Sequence, residues 1–410
     1  MAIASDKPGQ GRTAERPPLP RRQTEHVPFL LPLALVLGAL AVRLPLLGLT
    51  AGYDLRVIAG LARRAAQGED VYALDVHLTT PWAYFPPLLD LYAGLARLAA
   101  ATGWSFYVLA KLPIVAADIA IGPLLYAALR RHGCPPTRAV AGMALYLYNP
   151  LALYDGAFYG RFDAIALAFL LLALESCRTR LFAPAYALAI AAKTFPLFLL
   201  PLLAVGRDRQ PARRLLLTCL LVAPLSLPYV VTDPGGLLTH AFYLNRFSFG
   251  SLSWYLLLLD LGRRPLAVTI AHVGVVLYPF VAFLLVRAPL YVKTACCYAL
   301  FTALSGTLFE QYLLWPLPFL IVAGLRHRRR GALPLAALYT FAGVMENEYT
   351  WWPGPLHYAL LPQPSIPLNV ALAVATVAFV AAQIRRDTPW GQQRQRQADG
   401  PPDVTRIRIP

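Results

Sequence analysis

The sequence predicts an all-α polytopic membrane protein of about twelve transmembrane segments with a long first outer loop carrying amphipathic helices. Three observations lead there. Of 410 residues, 58% are hydrophobic and 14% charged, and the mean hydropathy is +0.52, outside the mixture of a soluble domain. Apolar runs recur along the chain near the length of about 20 residues that a helix needs to cross a bilayer. The basic residues behind the net charge of +16 collect in the two terminal tails and in short connections between those runs, as cytoplasmic segments gather Lys and Arg. The basic balance therefore reads as membrane topology, and nucleic acid is not an expected partner. The spans leave no room for a separate soluble enzyme domain.

Residues 1–26 are polar, with Lys7, Arg12, Arg16, Arg21 and Arg22, and lack the apolar core and small-residue cleavage site of a signal peptide. They are expected to be a disordered cytoplasmic tail. The multi-span domain covers 27–384. Its first segment is Val27 to Leu49, followed by the outer loop 50–104, where Asp54, Arg56, Arg63, Arg64, Glu69, Asp70, Asp75, His77, Asp90 and Arg97 interrupt the apolar residues. That pattern is amphipathic. Apolar runs resume at 105–129, 139–154, 164–177, 181–205, 214–232, 265–287, 290–309, 312–325, 332–345 and 366–384. The run 181–205 has Arg178 and Arg180 before it and Arg207 and Arg209 after it, so both ends want the cytoplasm. Pro196 disfavours helix at the residue before it, which predicts a hairpin of two short helices turning at Lys193-Thr194-Phe195-Pro196. The count is then twelve, with both termini inside and 385–410 a cytoplasmic tail. Acidic residues fall mainly at the outer ends. They contribute little to topology, so their clustering suggests a site on the outer face. The five cysteines have no metal-ligand spacing and read as free thiols. No internal repeat is visible.

Motifs then follow in order: Ala51-Gly52-Tyr53-Asp54 directly after the first span, Gly68-Glu69-Asp70-Val71-Tyr72 and Tyr84-Phe85-Pro86-Pro87-Leu88 in the outer loop, Asn149-Pro150 with Gly160-Arg161-Phe162-Asp163 beyond it, and Lys193 in a broken helix. In this collinear order the chain resembles the GT-C glycosyltransferases, membrane enzymes that use lipid-phosphate-linked sugars, and within them the bacterial polyprenol-phosphate-mannose-dependent group. The resemblance covers about 50–205, and beyond it only general architecture and Phe309-Glu310-Gln311-Tyr312. Arg161 stands where glutamine is common, and Phe85 is inserted before the proline pair.

The resemblance implies transfer of a hexose, mannose first, from a polyprenyl-phosphate sugar to a lipid or glycan acceptor at the outer face of a bacterial plasma membrane. The chemistry agrees. A sugar phosphate ester carries its own leaving group, so one carboxylate suffices as base on the acceptor hydroxyl, unlike the carboxyl pair of ordinary glycosidases. Asp54 is the candidate base; its bland alternative is a carboxylate that caps the loop helix or pairs with Arg56. Charge developing on the lipid phosphate calls for fixed cations. Lys193, Arg161, His240 and Arg246 are the candidates. Lys193 could instead pair with Asp163 or snorkel, Arg161 could form a surface ion pair with Asp155 or Asp163, and His240 and Arg246 could face lipid headgroups.

Sugar or acceptor contacts fall to Asp163, Glu310, Gln311 and Asp70. The alternatives are helix capping for Asp163, an interfacial aromatic belt around Glu310 and Gln311, and a loop-surface charge for Asp70. Glu346, Glu348, Trp351 and Trp352 could line an acceptor cleft. A divalent metal on Asp54 and a second carboxylate would be magnesium or manganese, since hard oxygen ligands suit them; the sequence does not demand one. With a single base, direct displacement predicts inversion at the anomeric carbon. The competing reading is a transporter or flippase of lipid-linked sugars, disfavoured by the absence of paired halves and by the few intramembrane charges, Arg43, Lys111 and Asp118.

Overall fold

The computed structural model describes residues 28, 30–49, 51–72, 82, 84–177, 179–204, 211–241, 252–278, 288–306, 308–351 and 366–387. Among them every regular element is helical. The first helix is α1 (Leu30–Leu46), and the stretch 50–104 contributes α2 (Tyr53–Ala66) and α3 (Pro86–Thr102). In α2, Leu55, Ile58, Ala59, Leu61 and Ala62 are buried while Tyr53, Arg56 and Arg63 are exposed, the spacing of one helical face. Helix α3 begins on Pro86 and Pro87, where a missing N–H costs nothing, and ends at Gly103, whose left-handed φ of 74° lets its N–H reach Ala99 O at 2.9 Å. The two helices pack on each other, so the loop is an amphipathic helical pair, as expected.

Its anchoring is specific. Tyr72 Oη donates to Tyr84 O at 2.5 Å, and Asp70 accepts from Tyr72 N (2.9 Å) and Thr232 Oγ1 (3.1 Å). Tyr229 Oη donates to Asp90 at 2.9 Å. The Gly68–Tyr72 and Tyr84–Leu88 motifs thus meet one another and the end of a later helix.

The bundle continues with α4 (Phe106–Arg131), α5 (Pro136–Leu147), the single turn α6 (Pro150–Ala152), a π-helical stretch Leu153–Tyr159, α7 (Asp163–Glu175) and α8 (Phe182–Ala192). Helix α4 is central, packing on α5 and α7, and α7 packs on α8. Helix α8 stops at Lys193, which is extended (φ −158°, ψ 150°), and a 3-10 turn Phe195–Leu199 leads into α9 (Leu200–Ala204). The break falls where Pro196 predicted it. After it come α10 (Pro211–Thr232), α11 (Pro234–Ala241), α12 (Tyr255–Asp260), α13 (Arg264–Leu277) and α14 (Leu290–Leu304). A 3-10 turn Glu310–Leu314, α15 (Leu317–Leu325), α16 (Ala332–Trp351) and α17 (Ile366–Asp387) complete the chain.

Among the described residues, two helices are long and apolar enough to cross a membrane by length and composition, Phe106–Arg131 and Pro367–Asp387, and a bent pair, Arg214–Pro224 with Ser226–Thr232, makes a third if counted as one span. The count of twelve is not reached by this measure. Among the described residues several of the other expected segments are shorter helices: α5 and α7 have 12 and 13 residues, about 18–20 Å of rise against a hydrocarbon core of about 30 Å. Proline, glycine and polar residues divide the apolar runs, as Asn149-Pro150 ends the run through α5. Large apolar side chains point outward on α10, among them Leu216, Leu220, Leu227 and Val231, opposite to the pattern of a water-facing helix.

Arg43, Lys111 and Asp118 are fully buried and held. Arg43 Nε and Nη2 lie 2.8 and 2.7 Å from Asp118 Oδ2, and Tyr146 Oη donates to Asp118 Oδ1 at 2.9 Å. A buried ion pair keeps its charges only when so compensated.

Candidate active site

The site forms where the start of α2, the π-helical stretch, the start of α7, the break after α8 and the turn at Glu310 converge. Asn149 opens this region. Its side chain accepts from Leu151 N at 3.0 Å and donates to Thr340 Oγ1 at 2.7 Å, so Asn149-Pro150 starts a helix and ties it to α16. The π-helical turns that follow end at Gly160, with φ +78°. Only glycine fits there: a Cβ would stand 2.5 Å from Leu55 Cδ2 and 3.2 Å from Lys111 Cγ. Lys111 Nζ donates to Phe158 O at 2.5 Å and Gly52 N donates to Tyr159 O at 2.9 Å. The first bond holds the stretch against α4 and the second docks it against Gly52-Tyr53-Asp54.

Arg161 is the hub. Nearly buried, it pairs with Glu310 through Nη2, with Asp155 Oδ1 through Nη1 at 3.3 Å, and with Asp54 Oδ2 through Nε at 3.8 Å. Burial works against its charge; Glu310, Asp155 and Asp54 more than compensate and raise its proton affinity above that of an ordinary arginine. Of the three carboxylates, Asp155 and Glu310 are buried, while the Asp54 side chain is 46% exposed. Asp54 lies in the first turn of α2, where negative side chains are stabilised. It is the partly exposed carboxylate of the three around Arg161.

Lys193 forms the second half. Its Nζ lies 2.6 Å from Asp163 Oδ2, and Trp315 Nε1 donates to Asp163 Oδ1 at 2.6 Å. Four rings surround the ammonium, with centroids at 5.0 Å (Phe162), 5.5 Å (Tyr84), 5.7 Å (Tyr312) and 5.9 Å (Trp315), a cation–π cage. The halves share the Arg161-Phe162-Asp163 segment and the turn from Glu310 to Trp315, and Asp155 feels Asp163 and Lys193 as well as Arg161 and Glu310.

Of the residues singled out from sequence, Asp54, Arg161, Asp163, Lys193 and Glu310 therefore meet in one cluster. Gln311, on the same turn, is buried, and its Oε1 and Asp155 Oδ2 have no hydrogen-bond partner among the described residues. Asp70 instead ties the stretch between α2 and α3 to α10 through Thr232. His240 lies in α11, with its side chain outside the described residues, and Arg246 is outside them altogether. Glu346 is buried in α16; the side chains of Glu348 and Trp351, and all of Trp352, lie outside the described residues.

Arg161 forms an ion pair with Asp155, as its structural alternative foresaw, but buried and joined by Glu310 and Asp54. Lys193 pairs with Asp163, as the alternative for Lys193 foresaw, whereas the capping alternative for Asp163 is not met, since Phe162 stands at the N-cap and no side chain caps the helix. Sequence reasoning missed the ring cage and the Trp315 bond to Asp163; the aromatic residues after Glu310, before Pro86 and between Arg161 and Asp163 were its signal. With four carboxylates against two cations, the cluster is acidic when all are ionised. Among the described residues no group of three or more His, Cys, Asp or Glu is placed to hold a metal. No family model and no curated protein matches the chain.

Proposed function

We propose that the chain is a membrane glycosyltransferase that moves a hexose, with mannose the first candidate, from a polyprenyl-phosphate sugar to a hydroxyl of a lipid or glycan acceptor. The observation that carries this reading is the half-exposed Asp54 carboxylate held beside Arg161, itself gripped by buried Asp155 and Glu310. Asp54 accepts the proton of the acceptor hydroxyl as that oxygen attacks the anomeric carbon. The bond to the phosphate oxygen breaks, and its electron pair leaves on the phosphate, which needs no proton from the protein. The base alone fits this reaction, and in-line attack inverts the anomeric carbon.

The charge count favours a donor with little negative charge. Both cations are already compensated, so a phosphodiester with one charge meets less repulsion than a nucleotide diphosphate sugar with two. The phosphate reaches Lys193 only in competition with Asp163. The rings around Lys193 suit the apolar face of a sugar.

The test is transfer from a panel of radiolabelled polyprenyl-phosphate sugars into membrane lipid, comparing the wild-type chain with Asp54→Asn at matched expression. The expected loss is about 10²–10⁴-fold, the usual contribution of a general base. Undiminished transfer by Asp54→Asn would refute the role of Asp54. Absence of transfer from every donor, with acceptor-containing membranes supplied, turns the reading toward a flippase.

A further inference from the structure

A second charged cluster lies at the other end of α4. This helix has 26 residues, so its ends are separated by about 38 Å, more than the hydrocarbon thickness of about 30 Å. The candidate site is built around its first half; Arg130 and Arg131 close its last turn. The chain turns through Gly133, with φ +76°, and re-enters the bundle at α5.

Arginines at this corner divide into two kinds. Arg131 pairs with Glu175 at 3.3 Å, and Arg329 with Asp387 at 3.0 Å. Arg130, Arg138 and Arg326 are exposed, and none of them has a carboxylate within ion-pair distance among the described residues. Arg130 and Arg326 flank the same turn, and Arg138 stands in the first turn of α5, four residues beyond Cys134. Arg130 Nη1 donates to Cys134 O at 2.9 Å, the Cys134 thiol contacts Leu325 O at 3.9 Å, and a Cβ on Gly133 would stand 3.8 Å from Arg326 Nη2. All three guanidiniums act on the buried Cys134 thiol, favouring its anionic form against the stronger effect of burial, which pushes it up. Three like charges around one turn repel one another and gain from a shared anion. The start of α5 adds the positive end of its dipole, with no side chain capping it.

We propose that Arg130, Arg138 and Arg326 form a binding site for the phosphate headgroup of an anionic phospholipid at the end of the bundle opposite the candidate active site. Location selects a lipid over a soluble phosphate. The last turn of a helix long enough to cross the bilayer sits at headgroup level, where guanidiniums meet lipid phosphates. Arg131 and Arg329 contribute less because Glu175 and Asp387 already compensate them.

The test is native mass spectrometry of the purified full chain in neutral detergent, titrated separately with phosphatidylglycerol, phosphatidylcholine and inorganic phosphate. Phosphatidylglycerol is expected to bind more tightly than phosphatidylcholine, with the preference falling about fivefold for each arginine removed. The triple variant Arg130→Gln/Arg138→Gln/Arg326→Gln should show none, and Arg328→Gln/Arg330→Gln should retain most of it. Each single variant gives the same direction should the triple variant fail to fold. Equal binding of the two lipids by the wild type, or a preference undiminished in the single or triple variants, overturns the proposal. Inorganic phosphate binding as tightly as phosphatidylglycerol overturns the choice of a lipid. The readout is binding and involves no sugar transfer, so its result stands apart from the fate of the glycosyltransferase reading.

Discussion

Removing the ammonium of Lys193 tests how the cage is balanced. In Lys193→Met the Asp163 carboxylate, 1% exposed, loses its counter-ion and keeps only the Trp315 indole N–H. Breaking a buried pair by deleting one partner costs about 3–5 kcal/mol, so the variant should unfold correspondingly more easily. In Lys193→Met/Asp163→Asn the side chain at 163 is neutral, yet its oxygen can still accept from Trp315, and Met fills the ring cage. The double variant should therefore recover most of the loss, with a coupling of about 2–3 kcal/mol. Reversible unfolding of the four proteins in mixed micelles measures this cycle. Additive effects of the two substitutions, or a Lys193→Met cost below about 1 kcal/mol, would refute a charge-compensated buried pair. Transfer assays on the same proteins separate roles: if Lys193 contacts donor phosphate, the stable double variant stays inactive.

Other outcomes are expected of single changes. Arg161→Gln leaves Asp155 and Glu310 buried without their cation, so it should destabilise by about 3–5 kcal/mol and impair transfer, which differs from the mild effect that a glutamine common at this motif position would suggest; unfolding and transfer measured together check both. Gly160→Ala combines left-handed backbone with a 2.5 Å clash on Leu55 and should cost about 2–4 kcal/mol, whereas Gly68→Ala, at φ +86° in open space, should cost about 1 kcal/mol; paired unfolding curves decide. His327, in the loop after α15, is lowered to about 4 by burial and then by Arg326, Arg329 and His132. The unfolded chain, with an ordinary histidine near 6.5, then binds more protons between those values, so stability should fall as pH drops from about 6.5 to about 4. His327→Gln should reduce that slope, as unfolding midpoints over the range would show.

What could be read from sequence followed from patterns local to the chain. The α2–α3 pair announced itself through charges interrupting an apolar run, the start of α3 through Pro86-Pro87, and the break at Lys193 through Pro196, because each depends on a few neighbouring residues. Asp54, Arg161, Asp163, Lys193 and Glu310 stood out mainly through short motifs whose order resembles a known family, with Lys193 marked also by its place in a broken apolar run. Their partnerships did not. Asp54 and Glu310 lie far apart along the chain, and nothing local says that one guanidinium will sit between them, or that the charge of Lys193 will be taken up by Asp163 inside four rings. Likewise Asp70 and Asp54 look alike as outer-loop carboxylates, and only packing sends one to Thr232 and the other to Arg161. Helix length was also a tertiary matter: an apolar run marks burial or lipid contact alike, and proline and polar residues divided several runs into helices shorter than a bilayer crossing. The sequence by itself determined the helical, apolar character of the chain and the inventory of charges available to a site. Tertiary structure decided which charges neutralise one another and which one, Asp54, remains partly exposed, because a buried charge is tolerated only beside its partner and that partner is chosen in space.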